Sequence, residues 1–245
     1  MHWSDEGIVL SSRPHGETSA IVELLSRSHG RHLGLVRGGR SKRLRPLLQA
    51  GNLVQAEWRA RLSEHLGSYT LEFLEAYAAR VLDDRAALAG LNTLTALARL
   101  LPEREPHQPL YEASCTVLQS ITENDHWPAL LVRWELGLLN ELGFGLDLES
   151  CAATGEASQL IYVSPKTGRA VSRDAGAPYR DKLLILPAFL RSGNDNGTGP
   201  AGDDITHGFR LTGFFLDKHV WRPRDLNPPQ SRERLIVMLA DESRI

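Results

Sequence analysis

The 245-residue sequence contains only two cysteines and no long apolar run. Cys115 and Cys151 stand far apart and form no repeated pattern, so the composition fits a reducing compartment rather than a disulfide framework. No stretch of about 18 apolar residues occurs, and the first residues show neither the basic segment nor the apolar core of a signal peptide. These absences predict a cytoplasmic protein without a membrane span.

The short motifs that mark common enzymes are missing as well. There is no nucleophile elbow, phosphate-binding P-loop, dinucleotide-binding glycine motif or metalloprotease helix motif. Cys151 and Thr154 have the spacing of half a zinc knuckle, and Ser164 and Ser172 stand where a second cysteine pair would lie. Because thiolates bind zinc tightly and neutral hydroxyls do not, we predict no bound metal, no cofactor and no catalytic site.

Acidic residues are absent from one stretch of the chain, although the whole protein carries a net charge of −2. Between Ser26 and Arg45 there is no Asp or Glu. The cations of this stretch are Arg27, Arg31, Arg37, Arg40, Lys42, Arg43 and Arg45. Segregated positive charge predicts a local anion-binding surface, which we assign to DNA; the alternative is a solvated loop whose charges aid solubility.

Residues 1–80 have the apolar alternation and the turn residues of short β-strands. We predict strands at 7–13, 17–25, 32–36, 53–60 and 69–77. Five strands without a long helix between them favour a small antiparallel barrel, with the OB-fold as the leading candidate, and oligonucleotides are the commonest ligands of that fold. Trp58 and Tyr69 are candidates for stacking on bases, but aromatic residues of a barrel more often fill its core.

The apolar spacing becomes helical after Asp83 and Asp84, which are suited to cap a helix that ends at Pro102. Helical spacing returns at 110–121, 128–142, 205–220 and 231–240. In contrast, residues 151–179 are rich in turn-forming residues, and Ser192–Asp204 has the composition of a loop. We therefore predict an α+β protein. Its domains are an OB-fold barrel, residues 1–80, and a mainly helical domain, residues 81–245.

Several blocks of sequence resemble the RecO family of bacterial DNA repair and recombination mediators. In the first half they are W-x-D-E-G-I-V-L-x-x-R-x-x-G-E (Trp3 to Glu17), G-x-V-R-G-G-R-S (Gly34 to Ser41) and LQAGNLVQAEWRARLSEHLG (Leu48 to Gly67). Further on they are LPEREPH, LGLLNELGFGLDLESCAATG and YVSPKTGRAVSRDAGAPY. The similarity runs from Trp3 to about Arg234.

The resemblance implies an N-terminal OB-fold, a helical C-terminal domain and an embedded zinc-ribbon-like module, residues 148–180. It implies binding of single- and double-stranded DNA and annealing of complementary strands coated by the single-stranded-DNA-binding protein. It also implies that the protein loads recombinase together with RecR, that it acts at the nucleoid and that it has no enzymatic activity. One departure from the family concerns zinc. Only Cys151 matches the four cysteines of the zinc-binding members, so the module is expected to lack the metal.

The acidic, apolar-ended C-terminal tail of the single-stranded-DNA-binding protein requires an apolar groove with a cation at its lip. Arg133 is the only Lys or Arg between Glu105 and Pro165, and it precedes Trp134 on a predicted helix. We predict that Arg133 and Trp134 bind this tail, against the alternative that Arg133 is an ordinary surface residue.

Two other classes of function remain open on sequence alone. One is an enzyme, such as a metal-dependent nuclease or an RNA-modifying protein, that uses the barrel to bind its substrate. The other is a scaffold whose barrel binds protein and whose basic loop is only solvated.

Overall fold

The computed structural model of the protein describes residues 1–62, 64–123, 126–191 and 202–242. The chain forms two compact units, Met1–Asn124 and Asp125–Ile245. The strands are β1 His2–His15, β2 Ser19–Ser26, β3 Gly30–Val36, β4 Leu53–Arg59, β5 Ser68–Glu75, β6 Leu160–Val163, β7 Ala170–Ser172 and β8 Leu184–Ile185. The helices are α1 Tyr77–Arg80, α2 Arg85–Ala98, α3 Gln108–Glu123, α4 Trp127–Glu141, α5 Arg173–Gly176, α6 Gly202–Leu216 and α7 Gln230–Glu242, and a π-helical turn spans Asp217–Trp221.

The first five strands close into a barrel with the order β1-β2-β3-β5-β4. β1 is long enough to pair with two neighbours: residues 2–8 pair with β4 and residues 7–15 pair with β2. The pairing with β2 has an irregularity between Val9 and Ser11. The barrel closes where β3 and β5 meet in parallel at Leu35 and Ser68. The five predicted strands are thereby confirmed, and β1 begins earlier than the sequence pattern indicated.

The alternation that predicted these strands reflects their two faces. In β4, Val54, Ala56 and Trp58 are buried, while the residues between them are partly exposed. The inward-facing side chains of β1 to β5 form one apolar core, to which Leu47 and Leu48 of the β3–β4 connection also belong. Burial of this core is the main stabilising contribution to the barrel.

Three helices follow the barrel within the first unit. The side chain of Asp84 caps α2 by accepting hydrogen bonds from the amides of Ala86 and Ala87, as the sequence predicted. α2 contacts both β1 and α3 and buries its apolar face. The first unit is therefore a barrel with helices packed against it, and it extends past the change from strand to helix near Arg80.

The second unit consists of α4, α6, α7 and a three-stranded sheet of order β7-β6-β8. A buried ion pair links two of its helices: Arg232 of α7 donates hydrogen bonds to both carboxylate oxygens of Glu135 on α4, each at 2.8 Å. Thr212 of α6 donates a further hydrogen bond to Glu135. All three side chains are buried, so among the described residues the carboxylate depends on these partners for compensation.

The predicted loop Ser192–Asp204 lies mostly outside the described residues, which resume at Gly202. Asp203 and Asp204 belong to the first turn of α6 rather than to a loop. Acidic side chains at this position favour a helix, because they interact with the positive end of its dipole. In the part of the chain that the structure describes, no helix combines the length and hydropathy needed to cross a membrane.

Candidate nucleic-acid interface

The connection between β3 and β4, residues 37–52, is a series of hydrogen-bonded turns; we call it the cationic loop. Gly38 has a φ of +68° at its start, a backbone conformation that side chains disfavour. A side chain at Gly39 would collide with Ala20, since a Cβ built there lies 2.8 Å from the Cβ of Ala20. The two glycines therefore let the loop turn sharply and lie against the barrel.

Buried residues fix the far end of the cationic loop. Leu47 and Leu48 insert into the barrel core. The side chain of Asn52 donates hydrogen bonds to the carbonyl oxygens of Pro46 and Leu47 and accepts one from the amide of Ala78. The loop is thus held at both ends, so a ligand meets a preformed surface and loses less conformational entropy on binding.

The five cations of the cationic loop lie at the surface: Arg37, Arg40, Lys42, Arg43 and Arg45. None of them forms an ion pair with a carboxylate among the described residues. Arg40 donates to the carbonyl oxygen of Gly16, and this contact holds the loop against the β1–β2 turn. Five cations without acidic partners give this loop a strong local positive potential.

The two cations that precede the loop have other partners. The guanidinium of Arg27 lies 3.2 Å from the carboxylate of Glu112, and both side chains are about half exposed. Arg31 is largely buried, donates to the carbonyl oxygen of Leu101 and forms an ion pair with Glu23. DNA contact at Arg27 and Arg31 stays a prediction, and their charges are already partly compensated within the protein.

Two further basic side chains lie beside the turn that the cationic loop contacts. Arg13 and His15 are exposed at the end of β1, next to the turn whose Gly16 carbonyl accepts the hydrogen bond from Arg40. Glu17 lies in the same turn and lowers its net charge. Arg13 lies outside the basic stretch of the sequence, and the hydrogen bond from Arg40 to Gly16 shows that the β1–β2 turn adjoins the cationic loop.

An aromatic cluster occupies one end of the barrel. The ring of Trp3 is stacked between those of His29 and Trp58, with centroid distances of 4.3 and 5.7 Å. Trp58 and Tyr69 are buried, and the indole of Trp58 donates to the carbonyl oxygen of Leu66. The prediction that these two aromatics fill the core is confirmed, so neither offers a free face to a base.

His32 is buried within this cluster. Burial lowers its pKa from 6.5 to about 4, and the charge of Arg104 acts in the same direction. The neutral ring lies 3.0 Å from the carbonyl oxygen of Leu33 and 3.3 Å from the hydroxyl of Tyr69. The barrel is therefore stable with a neutral imidazole and opposes its protonation.

We expect the stability of the barrel to fall as the pH drops from 6.5 towards 4. In that window the unfolded chain binds a proton at His32 and the folded protein does not, so the free energy of unfolding decreases by about 3 kcal/mol. Asp5 and Glu23 have pKa values lowered by hydrogen bonds that outweigh burial, so their contribution is lost as the pH falls below about 4.5 for Glu23 and about 3.8 for Asp5. Chemical denaturation of the wild type and of His32→Gln at pH 7 and 4.5 measures the difference. An equal loss in both proteins would contradict this assignment.

The two residues predicted to bind the tail of the single-stranded-DNA-binding protein differ in exposure. Arg133 is exposed on α4, donates a hydrogen bond to the carbonyl oxygen of Phe189 at 2.8 Å, and lies over the ring of that residue. Trp134, the next residue of the helix, is buried. Arg133 is therefore the member of the pair that a ligand can reach.

Around Cys151 the side chains form a hydrogen-bonded cluster. The thiol is buried, lies 3.4 Å from the hydroxyl of Ser172, and accepts from the amide of Ser172 at 3.2 Å. Although burial acts to raise the pKa of the thiol, hydrogen bonds from Ser172 and Thr154 lower it overall. Among the described residues no three His, Cys, Asp or Glu side chains come together in a way that could hold a metal ion.

This arrangement predicts that folding does not depend on zinc. Hydroxyls at Thr154 and Ser172 hydrogen-bond the sulfur directly, so the cluster is held without metal coordination. We expect purified protein to contain no stoichiometric zinc and to keep its melting temperature in excess chelator. One zinc ion per chain by elemental analysis, lost together with the fold, would show that the prediction is wrong.

The barrel and the mainly helical second unit make this an α+β protein. The cations of the loop have no acidic partner among the described residues, so the loop is a surface suited to anions. Comparison with known proteins gives a more specific assignment than the fold does: the chain belongs to the RecO family. The sequence model of the family described as Recombination protein O N terminal matches residues 1–77, and the one described as Recombination protein O C terminal matches residues 82–226. The family acts in DNA repair and recombination, which confirms the resemblance noted in the sequence.

Individual relatives are similar over almost their whole length. DNA repair protein RecO of Methylobacterium nodulans is 55% identical over 240 residues, which cover 97% of this chain and 98% of that protein. DNA repair protein RecO of Mesorhizobium japonicum is 54% identical, over 98% of this chain and 94% of its own. The corresponding protein of Rhodopseudomonas palustris strain BisB5 is 56% identical, over 96% and 95% of the two chains.

Proposed function

We propose that the protein binds single- and double-stranded DNA through the cationic loop and brings complementary strands together without chemical catalysis. The single observation that carries this proposal is a preformed loop with five exposed cations that have no acidic partner among the described residues. Arginine and lysine side chains neutralise phosphates and release condensed counterions, which favours binding without regard to sequence. Because annealing needs both strands close together, contacts to the backbone serve it better than base-specific contacts.

The first unit supports an OB-fold assignment. Its closed five-stranded barrel has the order β1-β2-β3-β5-β4, and in OB-folds the β2–β3 face and two of the loops bind oligonucleotides. We propose that the functional division of the chain is an OB-fold domain, residues 1–80, and a helical domain, residues 81–245. Within the latter, the turn-rich segment 148–180 around Cys151 and β6–β7 is proposed to be a zinc-ribbon-like module that hydrogen bonds stabilise in place of zinc.

We also propose the partners and place of action that the family resemblance implies. They are RecR, with which the protein would help to load recombinase, and the C-terminal tail of the single-stranded-DNA-binding protein, at the nucleoid in the cytoplasm. The annealing activity is tested with two complementary oligonucleotides coated by that protein. We expect the chain to accelerate duplex formation; unchanged annealing of both coated and bare strands would contradict the proposal.

Reversing the charge of Arg133 tests the proposed tail site. Arg133→Glu is expected to weaken binding of a fluorescent tail peptide at least about tenfold, because attraction becomes repulsion at the same position. Binding to bare DNA and annealing of bare strands should be unchanged, while annealing of coated strands should fail. Glu141→Arg on the same helix serves as the control. If the tail peptide binds Arg133→Glu as tightly as the wild type, the tail site lies elsewhere.

A nuclease is not favoured by any feature of the described structure. Such an enzyme would require several carboxylates converging near the cationic loop to hold a metal ion. Two carboxylates of the barrel are already engaged: Glu23 with Arg31 and Arg99, and Asp5 with the hydroxyl of Ser26 and the amide of Ser28.

A further inference from the structure

A groove of about 790 Å³ lies within the first unit, between β1, the cationic loop and the helices α1 and α2. Its floor is aliphatic and includes Leu10, Leu48 and Leu91, which are almost completely buried. Leu82, on its rim, has 58% of its surface exposed. A single exposed leucine is common on proteins, but here it borders an apolar floor that is open to a ligand.

Two cations of the cationic loop line this groove. Lys42 and Arg45 are exposed and make no ion pair with a described carboxylate, and none of the residues that line the groove is acidic. Arg37, Arg40 and Arg43 do not line it. Two cations of the loop therefore border the apolar groove, and the other three do not.

The composition of the groove selects its ligand. Positive charge at the lip favours acidic groups, and the aliphatic floor favours apolar side chains. A single strand of nucleic acid would satisfy the cations, but its bases bind by stacking on aromatic rings, and the residues that line the groove include none. A peptide that combines aspartate or glutamate with leucine or a similar residue satisfies both features.

The walls of the groove are held in place by the contacts that fix the loop. Asn52 joins the carbonyl oxygens of Pro46 and Leu47 to the amide of Ala78, and these contacts tie the loop wall to α1. Ser11, Ser12, Gln49 and Asn92 add polar groups along the groove that can bond to a peptide backbone. The groove is thus a preformed site, which lowers the entropic cost of binding.

We propose that this groove binds an acidic segment of a partner protein, with leucine-like side chains on the floor and carboxylates against Lys42 and Arg45. This binding is additional to the DNA contact proposed above and does not depend on it. Because the same loop carries both surfaces, occupation of the groove would bring a partner next to DNA held by Arg37, Arg40 and Arg43.

The test uses the full chain and a fluorescent nine-residue peptide of six aspartates and three leucines, amidated at its C-terminus. Binding is measured by fluorescence anisotropy. Lys42→Glu/Arg45→Glu is expected to lower the affinity at least about tenfold, because like charges then face each other. Arg37→Glu/Arg43→Glu makes the same change in net charge at two residues that do not line the groove, and about a twofold effect at most is expected, because these exposed side chains make no direct contact with the peptide and solvent screens their charge.

The variant Leu82→Ser distinguishes peptide binding from DNA binding. This exposed side chain contributes little to folding, so the variant is expected to fold normally, to bind the peptide at least about fivefold more weakly, and to bind oligo(dT) as the wild type does. A peptide with serines in place of its leucines should likewise bind weakly. Arg133→Glu, which changes the proposed tail site in the second unit, should leave binding of the amidated peptide intact.

Four results would overturn the proposal. The first is no binding of the peptide to the wild type, and the second is an equal loss in the two double variants. The third is loss of peptide binding in Arg133→Glu alone. The fourth is a loss of oligo(dT) binding in Leu82→Ser that matches the loss of peptide binding, which would assign the groove to nucleic acid. Peptide binding is measured without DNA, so it tests the groove even if the protein fails to bind DNA.

Discussion

Replacing Arg232 by methionine is expected to lower the free energy of unfolding of the second unit by about 3–5 kcal/mol. The substitution removes both hydrogen bonds to Glu135 and leaves a buried carboxylate with Thr212 as its remaining partner. The guanidinium of Arg232 also donates to the carbonyl oxygen of Phe209 and lies over the rings of Phe209 and Trp221, so these contacts are lost as well. Hydrogen exchange of α4 and α6 amides, measured against denaturant, reports the change.

A double variant distinguishes a buried charge from simple loss of packing. Glu135→Met/Arg232→Met removes both charges, and we expect it to be more stable than either single variant, because no uncompensated ion remains. Arg222→Met, which removes a cation from an exposed pair with Asp217, is the matched control and should cost less than about 1 kcal/mol. A loss of less than about 1 kcal/mol in Arg232→Met would contradict the importance of the buried pair.

Replacing Arg37, Arg40, Lys42 and Arg43 by alanine is expected to weaken DNA binding about a hundredfold or more near 0.1 M salt. Each single-strand phosphate contact contributes about 0.7 to the slope of log K against log salt, so four lost contacts should reduce that slope by about 3. Affinity should fall alike for every sequence, because the lost contacts are to the backbone. Fluorescence anisotropy with labelled oligonucleotides at several salt concentrations measures both quantities.

The chain offers a control with the same loss of charge. Arg173, Arg180, Lys182 and Arg210 are exposed cations of the second unit, and their replacement by alanine also removes three arginines and one lysine. If the cationic loop is the main DNA contact, this variant should keep most of the affinity and slope of the wild type. Unchanged affinity and slope in a folded loop variant, or equal losses in both variants, would contradict the assignment.

Local patterns in the sequence predicted the elements of the barrel well. The apolar alternation of the strands, as in β4, and the capping residue Asp84 are patterns that act over a few residues, and the structure confirms both. Closure of the barrel at Leu35 and Ser68 joins residues more than thirty positions apart. No local pattern contains that pairing, and it follows only from the fold as a whole.

The seven cations of the basic stretch looked equivalent in sequence, but the fold makes them different. Arg31 forms ion pairs with Glu23 and with Glu103, which lies far along the chain, so its charge is compensated by residues that the sequence does not place beside it. Lys42 and Arg45 border an apolar groove whose floor comes partly from α2. A count of charges shows how many cations are present, whereas their partners depend on tertiary contacts.

Titration of the wild-type protein with single-stranded DNA at several salt concentrations tests the central claim most directly. Oligonucleotides of equal length and different sequence are compared by fluorescence anisotropy. Binding through the cationic loop predicts similar affinities for all sequences, with log K falling linearly with log salt at a slope of about 3 or more, as expected if at least four loop cations contact phosphates. Absence of binding at low salt, a slope near zero, or strong preference for one sequence would contradict the claim.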